Sequence, residues 1–197
     1  MALTKTDIIN KALTYVGAAP VVSIDDATNS GQVLTRVFEG DLRHLLNECK
    51  WNFATKRSNL ATSATTFAFY DVGETIIYDR PTDVIRIYSS NPTTALWREE
   101  GNYIFSDSSG LGIRYVYYVT DTTLFPAYFL EALIDKLCSS IAYAVLNSAS
   151  LAEKFLEKYT KFSLPNAISS NSQVGVQQTL RDDAWELAKY QNIQSEA

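Results

Sequence analysis

The sequence predicts an α+β fold, a helical bundle made from N- and C-terminal helices with an inserted antiparallel β lobe. Three observations predict it. Apolar residues recur at helical spacing towards both ends of the chain, the period changes to alternation through the middle third, and the links between alternating runs are too short for the helical crossovers of parallel strands. With 197 residues, 46% hydrophobic and 20% charged, the chain can bury one substantial core and is expected to fold over most of its length. The expected division places residues 1–50 and 122–165 in the bundle, 51–121 in the β lobe, and 166–197 in a polar linker followed by a last helix.

Thr4 or Thr6 caps a first helix on which Ile8, Ile9, Ala12, Leu13 and Val16 share a face, and Gly17 followed by Pro20 stops it. Residues 21–24 read as an extended connector, and residues 25–31 supply caps for a longer second helix. Its apolar face carries Leu34, Val37, Phe38, Leu42, Leu45, Leu46 and Cys49, with Arg36, Glu39, Arg43 and Lys50 turned away. From Trp51 the pattern alternates. The runs FAFYDV, TIIYD, VIRIYS, NYIFSD and IRYVYYV are rich in β-branched and aromatic residues, and Gly, Pro and Asn clusters separate them.

Helical spacing returns after Phe125 and Pro126, where Phe129, Leu130, Leu133, Ile134, Leu137, Cys138, Ile141 and Val145 cover most of a helix circumference. Such a helix is buried on several sides. A fourth helix follows Asn147 and Ser148 with a stripe of Leu151, Phe155, Tyr159 and Phe162, and Leu164-Pro165 is expected to end or kink it. Residues 166–178 are dominated by Ser, Asn and Gln and read as a linker. Beyond them Leu180, Ala184, Trp185, Leu187 and Ala188 resume a helical pattern, too short to be stable alone and therefore expected to dock on a partner.

Chemistry-bearing patterns are sparse. The only histidine, His44, has Glu48 one turn on, and Cys49 lies well over a right angle around the helix from it, so a Cys–His nucleophile pair is not expected. One histidine and two widely spaced cysteines, Cys49 and Cys138, make no metal-ligand set, and both thiols read as small core residues of a reduced protein. The acid pairs Asp25-Asp26, Glu99-Glu100 and Asp182-Asp183 have plainer roles at helix starts and a turn than as paired catalytic carboxylates. Gly110 and Gly112 lie between strands, without the Lys-Ser or Lys-Thr of a phosphate loop. Tyr115, Tyr117 and Tyr118 are expected to pack a sheet rather than stack bases, because Arg114 has few basic neighbours in sequence. A net charge of −5 without a basic cluster argues against gripping nucleic acid. The amphipathic start is not a secretion signal, and Glu131, Asp135 and Lys136 interrupt the one long apolar stretch, so a cytoplasmic, membrane-free protein without catalytic site, metal or cofactor is expected.

Four segments carry a family resemblance. They are LLNECK running into WNFATKRSNLA, the phrase PTDVIR from Pro81, IRYV from Ile113, and LFP from Leu124 leading through Ala132-Leu133, Leu137 and Ile141-Ala142. In order and spacing they resemble the tail tubular protein A family, the head-to-tail adaptor proteins of short-tailed bacteriophages. The resemblance implies a non-enzymatic virion protein, made in the host cytoplasm, that forms a ring homo-oligomer, dodecameric in this family. That ring lies between the portal protein and the tail nozzle protein, with DNA passing through it without sequence-specific binding and tail fibres as a further candidate partner. The terminal helix carrying Leu180, Ala184, Trp185, Leu187 and Ala188 would then be the portal-docking element. Two other classes remain at this point: a cell-wall hydrolase of the phage tail, and a monomeric virion completion or assembly protein that forms no ring.

Overall fold

A computed structural model describes residues 3–24 and 29–174. Within them the fold is α+β, as the alternation of periods predicts. Helix α1 (Lys5–Val16) starts at Thr4, not Thr6, because Thr4 and Asp7 form a capping box: each side chain accepts the other's backbone N–H, at 3.2 and 2.9 Å. It ends at Gly17, whose left-handed φ of 78° lets its own amide and that of Ala18 turn back onto the Thr14 and Leu13 carbonyls. The connector is held by Asn10, whose side chain both accepts from the Val21 amide and donates to the Val21 carbonyl.

Helix α2 (Asn29–Glu48) and α1 both lie on α3 (Ala127–Ala144), the central helix of the bundle. The expected faces are observed: Leu34, Phe38, Leu42, Leu45 and Leu46 are buried, and Arg36, Glu39, Arg43 and Lys50 are exposed. On α3, residues as far around the helix as Phe129, Leu133, Leu137, Cys138 and Ile141 are wholly buried, although Val145 at its end is exposed. Helix α4 (Ala149–Lys158) packs back on α3 and passes through a π-helical turn (Tyr159–Ser163) into α5 (Leu164–Gln173).

Two expectations fail at this end. Phe162 does not continue the α4 stripe: it is 61% exposed, because a π turn holds more residues than an α turn and rotates later positions out of phase. Residues 166–173 are not a linker. Pro165 sits in the first turn of α5, where its missing N–H is harmless, so it starts a helix, and Ala167 and Asn171 are buried. The Ser- and Asn-rich composition is that of a helix whose outer side meets water. The segment carrying Leu180, Ala184, Trp185, Leu187 and Ala188 lies outside the described residues, as do residues 25–28 and Asp182-Asp183.

The lobe contains β1 (Thr55–Asn59), β2 (Ile76–Asp79), β3 (Val84–Asn91), β4 (Trp97–Glu100), β5 (Tyr103–Ser106) and β6 (Gly112–Tyr117). Among the described residues they form two antiparallel sheets, ordered β1-β6-β3 and β2-β5-β4. The alternation read from Trp51 begins only at Thr55, because Trp51 to Ala54 make a turn closed by the Ala54 amide on the Trp51 carbonyl. The run FAFYDV is not a strand. Its Phe67 ring packs edge-on against Tyr103 and Phe105, which uses the aromatic content without ladder pairing. Conversely, the charged WREE is strand β4, at an edge where charge discourages further pairing.

The β1-β6-β3 sheet is a middle layer. Alternation turns Val116 into the bundle core with Ala54, Val119 and Trp51, while Ile113 and Tyr115 face a smaller core shared with Tyr78 and Ile104 of the other sheet. The lobe is thus welded to the bundle, not tethered to it.

Candidate functional site

The four segments that carry the resemblance are distant in sequence and meet at the junction of bundle and lobe. Strand β1, from WNFATKRSNLA, pairs along its whole length with β6, from IRYV, with Lys56 opposite Tyr115 and Arg57 opposite Arg114. Asp83 of PTDVIR closes the cluster: its carboxylate accepts from Lys56 Nζ at 2.6 Å and from the Tyr115 hydroxyl at 3.2 Å. Lys56 also lies 3.9 Å from the centre of the Tyr117 ring. Burial works against ionised Asp83, but the hydrogen bond and charge of Lys56 outweigh it and hold the carboxyl below its ordinary range. Burial first, then the negative charge of Asp83 and the hydrogen bond to it, push the Tyr115 phenol up to about 12.

On the bundle side the LFP segment completes the junction. Phe125 and Phe129 meet Phe53 at ring distances of 5.9 and 4.7 Å, and Trp51 packs on Phe129 and Tyr128 while donating to the Leu45 carbonyl at 2.7 Å. Asn171 of α5 locks the turn from below. Its amide oxygen accepts from the Asn52 amide, its amide nitrogen donates to the Lys50 carbonyl at 2.8 Å, and Asn52 Nδ2 donates to its carbonyl at 2.7 Å. No sequence signal marked this residue, which hides in a polar run.

Further buried polar groups sit around α3. Asp135, 4% exposed, accepts from Lys158 Nζ at 2.8 Å and from the Ser163 hydroxyl. The π turn brings Ser163 there, and the signal in the sequence was a lone acid on an otherwise apolar face. Asp41 accepts from Ser140 through one oxygen at 3.1 Å, while its other oxygen and the buried Tyr159 hydroxyl have no hydrogen-bond partner among the described residues. Burial raises the Asp41 carboxyl above its ordinary range, with Ser140, Lys136 and His44 pulling the other way.

The sequence candidates for chemistry stay apart. His44 is half exposed and pairs with Glu48 at 3.0 Å, one turn away. Burial pushes the Cys49 and Cys138 thiols up to about 11 and about 12, so both stay protonated at neutral pH and are poor nucleophiles. Glu99 pairs with Arg80 and Glu100 with Arg98, both at the surface. Tyr118 is packed under the Arg43 guanidinium at 4.2 Å. No cluster of metal-ligating side chains and no helix long and apolar enough to cross a membrane occurs among the described residues.

The chain matches no known family model and no curated protein. Two exposed apolar patches stand out on its surface. At the lobe, Val72 and Leu96, the latter 70% exposed, flank a small cleft over Phe105, with Phe69 exposed on the same loop. On the bundle, Tyr143, Ala152 and Leu156 line a groove of about 440 Å³ between α3 and α4. Contiguous exposed apolar surface of this kind marks contact with other macromolecules.

Proposed function

We propose that this protein is a structural head-to-tail adaptor subunit of a bacteriophage virion, forming a ring between portal and tail nozzle through which DNA passes. The observation that carries the reading is the meeting of the four segments resembling the tail tubular protein A family at one junction. Segments kept together for a shared structural purpose are expected to be neighbours in space, and these are. A second feature supports assembly: the exposed apolar patch of the lobe loop and the α3/α4 groove are different surfaces of one chain. A head-to-tail contact between unlike patches generates a closed ring when its rotation closes. In this reading the protein works by packing against copies of itself, the portal protein, the nozzle protein and, at its rim, tail fibres, and it resides in the virion.

The test is electron microscopy of the purified full chain mixed with portal protein, alongside sedimentation of each alone. A ring of defined symmetry seated on the portal is the expected result. A chain that stays monomeric with portal present, or that degrades peptidoglycan, overturns the proposal.

A further inference from the structure

Arg114 has few basic neighbours in sequence, yet across the β1–β6 ladder it faces Arg57. Like charges directly opposite each other on one sheet face repel and destabilise the pairing. Among the described residues neither guanidinium has an ion pair or a hydrogen bond to relieve the repulsion. The next row of the same face reads Asn59, Gly112, Asn91 across β1, β6 and β3, and the two Asn side-chain amides are likewise unengaged. Gly112 leaves the floor open, since a Cβ there would lie 3.0 Å from Asn59 Oδ1. Together these residues line a cleft of about 370 Å³. It occupies the face of β6 that, at Val116, enters the bundle core, so the cleft lies where the sheet runs on past the helices.

We propose that this cleft is a receptor for a carboxylate side chain presented by a protein partner. Two guanidiniums on adjacent strands offer forked donors that match the two oxygens of one carboxylate, and flanking amides extend the donor set. Such a ligand removes the repulsion that the free protein tolerates, which is the expected mark of a functional position. A protein acid fits better than a phosphate backbone, because duplex binding needs cations spaced along a track and here Lys56, the neighbouring cation on β1, is already paired to Asp83 on the opposite face. The overall charge of −5 also repels a polyanion while leaving a single buried-in carboxylate acceptable.

The experiment follows the Arg57 and Arg114 side-chain and Gly112 backbone resonances of the full chain by nuclear magnetic resonance, with sodium chloride as the control for ionic strength. The probes are a tri-glutamate peptide, inorganic phosphate, a short DNA duplex and sodium chloride. Saturable shifts with the peptide at all three residues are expected, with affinity falling about tenfold in Arg57→Gln and in Arg114→Gln. Arg57→Lys keeps the charge and loses the fork, and is expected to keep the fold and still bind more weakly. Absence of a saturable peptide response, a response unchanged in the variants, or one matched by chloride overturns the proposal. So does tighter binding of phosphate or duplex than of peptide.

Discussion

Bundle and lobe share a chain and a wall of sheet, but they are held together differently. The bundle buries one continuous apolar core in which Ile8, Leu45, Trp51, Phe129 and Leu137 have no exposure at all. The lobe has a smaller core around Tyr78, Ile104, Leu111 and Ile113, and supplements it with exposed charge pairing. Arg98 of the edge strand β4 alone reaches Asp71, Glu74 and Glu100 at 2.9, 2.7 and 3.2 Å. The pairs to Asp71 and Glu100, half exposed or more on both sides, add little stability. The difference teaches that substitutions in the bundle are read out as folding, while the lobe can afford outward-facing Val72, Leu96 and the Arg57–Arg114 pair, whose changes are read out as binding.

The sharpest way to break this contrast is at the shared wall. Trp51→Ala removes a fully buried ring that joins both regions and is expected to cost about 3–5 kcal/mol in denaturant unfolding. A cost below 1 kcal/mol would mean that lobe and bundle are not mechanically joined there. Asn171→Ala leaves the Asn52 amide and Lys50 carbonyl without their partner and is expected to cost about 1–3 kcal/mol, measured in the same way. A change within error would make α5 an accessory to the bundle, not part of it.

Asp41→Asn is expected to stabilise the bundle by about 1 kcal/mol at neutral pH, since it removes the desolvation of a buried carboxylate. The sign follows from the raised folded-state value. Below 3.8 the carboxyl is protonated in both states and the advantage is absent; it grows as pH rises from there towards the folded value, where the native protein must ionise a buried group. Melting temperatures across that window check it, and an advantage largest in acid contradicts it. The smallest effect belongs to the lobe loop. Val72→Ser and Leu96→Ser are expected to change stability by less than about 0.5 kcal/mol while weakening self-association in sedimentation.

Much of the architecture was legible because it follows from periodicity. The faces of α1, α2 and α3, and strands β2, β3, β5 and β6, could be read from spacing alone. What escaped depended on partners far away in the chain. FAFYDV has strand composition, but its rings are used one at a time against Tyr103 and Phe105. WREE is absent from the alternating runs because an edge strand carries charge in place of an apolar alternation. The helical identity of residues 166–173 rests on Asn171 reaching Lys50 and Asn52, which no local pattern encodes. Arg57 opposite Arg114 is a consequence of strand register, so the site could not be found from either residue's neighbours. The π turn displaced Phe162 by a phase shift that only the placement of Ser163 on Asp135 explains.

The insertion of the lobe between the two halves of the bundle also dictates an order of events during synthesis. Ala12 and Cys138 touch in the finished core although 126 residues separate them. At roughly 5–20 residues per second, the apolar faces of α1 and α2 emerge from the ribosome on the order of ten seconds before α3 exists to cover them. Both helices therefore spend that interval as sticky, unmatched surfaces in a crowded cell, and the lobe waits too, because β1 and β3 both pair with its last strand, β6, and only the sequential β4–β5 pair can form as it emerges. The nascent chain is accordingly a natural client for chaperones that shield its first fifty residues until the central helix arrives.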